Sequence, residues 1–400
     1  MRVAVVGGGV VGLACAHALA RRGADVTVYE RDRVGHGCSY GNTGWICPGL
    51  SAPLPAPGVM GAAVLGMLRR GSPVRISPVV GPRFLRWSWL FWRACAPERY
   101  RAGLEATVAL TKNAVADLAE LRAAGVEFEL RETGMIVAAL TEPGLEEYAA
   151  MLQDAEAAGY EGPVRVLNGQ EAREVEPAVG EAVIGAVHAP SEQYVRPESL
   201  SRGLAEWLRA NGADVREDAG VTEVRELDAD AVVLAAGAWS GVLLERMGVR
   251  IPMEAAKGYS VTARGRGTPP RAAYYLAEAR VGASTFGDEL RIAGIFDLTG
   301  LDLTLQRKRI EMILRDSRPY FRDWEPETVV SEWTGLRPYP ADGLPILGRV
   351  PGQDRLFLAT GHGRMGITMA PTTGKLLASV ILDDATPPEL EPFGIDRFRR

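Results

Sequence analysis

Residues 2–6, RVAVV, form an unbroken β-branched run, the pattern of a strand covered on both faces in a parallel sheet. From Val10 the apolar positions of VVGLACAHALARRG take helical spacing, and Gly23 supplies a C-cap. ADVTVYE then predicts a second strand ending at Glu30. This is a βαβ unit with a triple glycine, Gly7 to Gly9, in its first turn. Further on, the periodicity predicts one long helix over 98–124, two short strands in EFELRETGMIVAAL joined at Gly134, a helix near 143–158 and an extended piece at VRVLN. A helix over 197–211 starts at Pro197 or Ser199 and stops at Gly212. ADVREDAGVTEVREL reads as strands carrying Val221, and AVVLAAGAWS as a buried strand running into a small-residue turn. Strand-like segments at MEAAKGYSVTA, RAAYYLAEARVGAS and ELRIAGIFDL, followed by a helix over about 304–315, predict a mainly antiparallel sheet apart from the opening unit. GLRPYPADGLPILGR, residues 335–349, reads as a turn-rich loop because of its prolines and glycines. After it, RLFLATGHGRMGITMAPTTGKLLASVI runs strand, glycine loop, helix.

Composition narrows the function classes. The 400 residues are 47% hydrophobic and 24% charged, enough for two domains or one elaborated domain. A net charge of -5 argues against a nucleic-acid binder, which needs a basic face for phosphates. Cys15, Cys38, Cys47 and Cys95 are widely spaced, so neither a zinc site nor a disulfide framework is expected, and a reducing cytoplasm fits. The apolar N-terminus imitates a secretory signal, but its glycines have another use. Residues 50–68 are uncharged, yet Pro53, Pro55 and Pro57 oppose a spanning helix.

Candidate chemistry sits at the two ends. Gly7, Gly9 and Gly12 spell G-x-G-x-x-G between strand and helix, and Glu30 follows eighteen positions later. The glycines allow a tight turn, close approach of a pyrophosphate and close helix–strand packing, while the helix N-terminus faces phosphate and the glutamate accepts from a ribose. The unit itself suits NAD or FAD. The irregular stretch RDRVGHGCSYGNTGWICPG, in place of a further regular βα repeat, favours an extended cofactor. Arg337 is placed to grip a planar carboxylate through two parallel hydrogen bonds, or else to pair with Asp342. The second helix N-terminus, near Gly366 to Thr368, is suited to negative charge on a reduced flavin, with His362 beside it. Residues 83–95, RFLRWSWLFWRAC, suit core packing, a lid over an apolar pocket, or contact with a membrane surface.

GGGVVG with Glu30, GCSYGNTGWICPG, AVVLAAGAWS, GLRPYPADGLPILGR and TGHGRMGITMAPTTG together resemble the FAD-dependent amine and amino-acid oxidoreductases, the family of D-amino-acid dehydrogenases, glycine oxidase and sarcosine oxidases. The likeness runs from residue 1 to about 382. It implies an α/β fold: a Rossmann-like FAD-binding domain (1–48, 98–125, 160–242 and 335–400) with a discontinuous α+β substrate domain (49–97, 126–159 and 243–334) carrying the aromatic segment. It implies FAD contacts at Gly7, Gly9, Val10, Val11 and Gly12, at Glu30 and Arg31, and at Cys38, Ser39, Asn42, Thr43, Gly44 and Trp45. It extends them to Val221, Ala236, Gly237 and Trp239, and to Gly361, His362, Gly363, Arg364, Met365, Gly366, Ile367 and Thr368. Arg337 stands where the family binds a substrate carboxylate, with Tyr259 and Tyr275 as candidate partners. The reactive centre would be flavin N5, with no catalytic side chain and no metal.

The activity implied is oxidative deamination of D-amino acids, with quinone or O2 as electron acceptor. APLPAPGV and KGYSVTA resemble D-amino-acid dehydrogenases, whereas GRMGITMAPTTG is closer to glycine-oxidase-like members. Alternatives are a glycine or sarcosine oxidase, a D-proline or D-hydroxyproline dehydrogenase, and, in another class, an NAD enzyme or a non-catalytic nucleotide-binding subunit. Arg291, on the strand where sarcosine oxidases carry an oxygen-reactive lysine, favours a dehydrogenase. A cytoplasmic location is expected, peripheral to the inner membrane face if residues 83–95 touch lipid.

Overall fold

The computed structural model describes residues 1–61, 74–76 and 81–398. The opening unit folds as its pattern requires. Strand Arg2–Val6 leads into helix Val10–Arg21 and then strand Asp25–Tyr29, which pairs in parallel with the first. Around them, among the described residues, a six-stranded sheet has the spatial order 214–216, 25–29, 2–6, 231–234, 353–360, 346–350, with only the last pair antiparallel. Val3, Val5, Val26, Val28, Val233 and Phe357 bury against the opening helix, which is why these strands read as continuous apolar runs. The last helix, Gly366–Leu382, packs beside the opening helix. Gly374 permits that approach, since a Cβ there would lie 2.5 Å from the Ala14 carbonyl oxygen.

A second sheet, nine-stranded among the described residues, is built on Glu325–Pro340, Met253–Arg266 and Glu289–Leu298. It is mostly antiparallel, as expected, but mixed: Ala273–Leu276 runs parallel to Met135–Ala139, and Val74–Ile76 parallel to Glu289–Leu298. Strands Arg165–Asn168 and Gly185–Ala189, grouped by the sequence division with the cofactor-binding part, extend this sheet through antiparallel pairing to Met135–Ala139. The expected boundary at 334/335 falls inside strand Glu325–Pro340.

Three local readings are corrected. The long helix over 98–124 is two helices, Pro97–Thr111 and Ala114–Ala123. The segment around Val221 is not a strand: Asp218, at φ 52°, turns the chain after Asp214–Arg216, and Asp218 and Ala219 donate to the Asp32 and Glu30 carbonyls. Arg337 lies on a strand rather than in a loop. Pro338 and Pro340 are tolerated because Glu325–Pro340 is the sheet's edge strand, where a missing N–H breaks no ladder on the open side. The turn comes later, at Gly343 with φ 74°. No described helix is long and apolar enough to cross a membrane; residues 62–68 of the uncharged 50–68 stretch lie outside the described residues.

Candidate active site

One cavity of about 1300 Å3 runs between the two sheets. At one end are the first glycine turn, Glu30, Arg31, Val221 and Trp239, and at the other are Arg337, Tyr275, Tyr339 and the aromatic helix Pro82–Ala94. The volume exceeds the roughly 300–1,000 Å3 of an ordinary small-molecule pocket, so it has room for an extended cofactor and a substrate together.

The glycine turn is built for a close ligand. Gly7 has φ 114°, and a Cβ on Gly12 would lie 1.9 Å from the Gly7 carbonyl oxygen, so Gly12 acts from behind the wall by letting helix and turn meet. The opening helix has no side-chain cap from Gly9; Val10 N–H donates to Ser39 Oγ at 2.9 Å. The Glu30 carboxylate accepts from Gly8 N at 2.7 Å and Asp32 N at 3.0 Å, which holds it at the lip of the turn. Arg31 stacks over the Trp239 ring at 4.5 Å and pairs with Asp32. Val10, Val11, Cys38, Ser39, Asn42, Thr43, Trp45, Ala236 and Gly237 also line the cavity. Asn42 braces its loop, donating to the Cys38 and Ser39 carbonyls and accepting from Gly44 N. Gly44, at φ 72°, is off the wall, where a Cβ would strike the Val195 carbonyl oxygen at 1.8 Å.

The second helix N-terminus also faces the cavity. Gly361, His362, Gly363, Arg364, Met365, Gly366 and Ile367 line it. Thr368 does not; its hydroxyl donates to the Trp45 carbonyl at 3.0 Å and ties the helix to strand Trp45–Ile46. His362 is buried with Nε2 3.1 Å from Thr373 Oγ1, and burial pushes its pKa down to about 3, so the ring is neutral.

At the far end, Arg337 donates to the Ile295 carbonyl at 2.8 Å and makes no ion pair among the described residues. Asp342 is held instead by Arg397, at 2.6 and 3.1 Å, so the surface pairing expected as an alternative does not occur. Among the described residues Arg364 donates to the Leu50 and Ala52 carbonyls. The carboxylates on the described wall are all engaged: Glu30 and Asp32 as above, and Glu147 by Arg280 at 2.7 Å. The Arg337 end is therefore left electropositive.

Tyr275 is on the wall, edge-on to Trp45 and Tyr148 at 5.6 and 5.2 Å. Tyr259 is not. It is buried in the core with Val261, Ile292, Ile310 and Ile313, its hydroxyl 3.4 Å from Asp297. The strand alternation that exposes Gly258 to Arg337, where a Cβ would meet the guanidinium at 2.3 Å, turns Tyr259 away. Arg291 is likewise off the wall, held by Thr262, the Asn42 carbonyl and Glu198. Tyr339, Tyr148 and Arg280 escaped the sequence reading. Tyr339 had a signal, because it stands two residues after Arg337 and strand alternation puts both on one face.

Across this architecture the family described as FAD dependent oxidoreductase (DAO) matches residues 2–380. The chain belongs to that family. The DAO-family chain is 31% identical to a D-amino acid dehydrogenase from Chromohalobacter salexigens over 100% of its own length and 99% of the relative's. Its structure is similar to glycine oxidase from Geobacillus kaustophilus, with 27% identity, a TM-score of 0.75 and 99% of each chain covered. L-proline dehydrogenase from P. horikoshii shares the fold at 19% identity, with a TM-score of 0.72 and 100% and 98% coverage. The family is FAD-dependent, and the cradle described above fits FAD: a phosphate-compatible glycine turn, an acidic side chain beyond it, and a continuous cleft leading to a second helix N-terminus.

Proposed function

We propose that this DAO-family oxidoreductase deaminates D-amino acids, giving an imine that hydrolyses to a 2-oxo acid and ammonia. The observation that carries the reading is Arg337, a cavity-wall guanidinium with no carboxylate partner among the described residues. A half-buried arginine on a cavity wall fits a planar carboxylate better than any other small anion except phosphate. Arg364 adds positive potential to the same end. Gly7, Gly9 and the opening helix would hold the FAD pyrophosphate, Glu30 the ribose, and residues 361–367 the ring end.

With the carboxylate on Arg337, Tyr275 and Tyr339 flank the bound zwitterion and fix its orientation. Trp87 and Phe91 of the aromatic helix wall the site against water, with Trp87 Nε1 donating to the Tyr339 carbonyl at 2.9 Å. Bound FAD supplies the two-electron acceptor for the hydride leaving Cα. The protein's contribution is orientation and charge, since its described wall offers no free carboxylate as base. The D preference rests on the likeness to the D-amino acid dehydrogenase.

A second reading, oxidation of glycine or a secondary amine with O2, is favoured by the structural likeness to glycine oxidase. Anaerobic bleaching of the flavin by D-amino acids, L-amino acids, glycine and sarcosine separates the two. Bleaching by D- but not L-enantiomers supports deamination of D-amino acids. Bleaching by glycine or sarcosine alone, with peroxide released in air, establishes the second reading.

A further inference from the structure

The aromatic helix Pro82–Ala94 has two apolar faces. Phe84, Trp87 and Phe91 turn inward to the cavity. Leu85, Trp89 and Trp92, spaced i, i+4, i+7, point outward with 59%, 52% and 61% of their surface exposed. Two tryptophans and a leucine this exposed on one stripe are left uncovered by apolar side chains among the described residues. Beside Trp92 is a second, shallow hollow of about 510 Å3, floored by Pro57, Gly58, Met60, Cys95 and Ala96, with Arg93 and Arg99 also lining it.

Charge says what covers the stripe. Residues 81–101 hold five arginines, Arg83, Arg86, Arg93, Arg99 and Arg101, against a single acid, Glu98, in a chain whose net charge is -5. Arg83 is paired with Glu245 and Arg93 stacks on Trp89 at 4.7 Å; Arg86, Arg99 and Arg101 are exposed. Indole rings and leucine flanked by guanidinium groups suit the boundary between headgroups and acyl chains of an anionic bilayer. A second copy of the chain, itself acidic overall, would have to bring an acidic apolar patch to match the stripe, and elsewhere among the described residues large exposed apolar side chains come at most two together in the sequence, as Leu301 with Leu303 and Val329 with Val330.

We propose that this helix docks the protein on the surface of an anionic lipid bilayer, without crossing it. The inference does not depend on which amine is oxidised, and its test reads binding rather than turnover. The FAD-loaded full chain is sedimented with vesicles of phosphatidylglycerol and phosphatidylcholine, and with phosphatidylcholine alone. Saturable binding to the anionic vesicles, weakened by raised salt, is expected. Trp89→Ser with Trp92→Ser should weaken it about tenfold or more, and Arg86→Gln with Arg99→Gln severalfold. Both pairs of changes are on exposed side chains, and retained flavin absorbance verifies the fold. No sedimentation with either vesicle, or binding indifferent to the tryptophan changes, overturns the proposal. So does a concentration-dependent dimer that the tryptophan changes abolish in the absence of vesicle binding.

Discussion

Charge is handled differently on the two sides of the nine-stranded sheet. Toward helix Arg307–Ser317 the protein neutralises itself: Lys257, fully buried, donates to Asp302 at 2.5 Å and to the Thr304 carbonyl, and Asp297, also fully buried, takes Arg309 at 2.6 Å and the Tyr259 hydroxyl. Toward the cavity, Arg337 is braced by one backbone carbonyl and by no carboxylate among the described residues. Desolvating an ion costs several kcal/mol unless a partner offsets it. A buried pair is thus complete as it stands, whereas a lone guanidinium on a cavity wall is complete only with an anionic ligand. A buried ion pair says little about function; a half-buried cavity-wall charge without a carboxylate partner says more.

The largest effect should come from removing the lone charge. Arg337→Ala should lower kcat/KM for the best amino acid by about 3–4 kcal/mol, roughly a hundred- to a thousandfold, with flavin binding and melting temperature nearly unchanged. A loss below threefold would remove Arg337 from carboxylate binding. Asp297→Ala should do the reverse. Taking away a carboxylate shared by two donors should cost about 3 kcal/mol of stability, seen as a melting temperature lower by several degrees, while the folded fraction turns over normally. If Asp297→Ala lost activity without losing stability, the division between the two sides would fail.

Much of this contrast was legible in the sequence, and the illegible part has a physical cause. The cofactor end is built from contiguous pieces, a strand, three glycines, a helix and Glu30, whose geometry follows from local rules. The substrate end gathers Tyr148 from a helix, Tyr275 from one strand, Arg337 and Tyr339 from another, and Arg280 from a turn at φ 55°. Which side of a strand faces a cavity depends on register and bulges, and neither is written locally. Tyr259 was assigned to the pocket and Tyr339 was missed for that reason: a register shift between Lys257 and Tyr259, and prolines that suggested a loop where an edge strand runs.

An intermediate case sharpens the comparison. Glu192 is buried with Oε1 accepting from Tyr160 at 2.6 Å and Gly49 N at 3.0 Å, while Oε2 has no hydrogen-bond partner. No cation among the described residues pairs with it, and burial pushes its carboxyl up from 4.5 to about 7. Below pH 4.5 the folded and unfolded chains both hold this proton. Between about 4.5 and 7 the unfolded chain releases it first, so stability should fall as pH rises, by up to about 3 kcal/mol. Above that the loss is constant. Glu192→Gln keeps an acceptor and removes the ionisation, so its melting temperature should exceed the parent's at pH 8 and match it at pH 4.5. Equal pH profiles for the two proteins would show that Glu192 is ionised without cost.

The smallest effects should come from the two tyrosines that the sequence treated alike. Tyr275→Phe removes a hydroxyl from the cavity wall while leaving its ring against Trp45 and Tyr148. One hydrogen bond to a charged ligand is worth about 1.5 kcal/mol, so KM for the amino acid should rise about tenfold, with the melting temperature unmoved. Tyr259→Phe removes a long contact of 3.4 Å to Asp297 in a closed core. It should cost about 0.5–1 kcal/mol of stability and leave KM within twofold. If the outcomes were exchanged, Tyr259 affecting KM and Tyr275 affecting only melting, the substrate would sit on the opposite side of the sheet from Arg337, and the unpaired guanidinium would need another explanation.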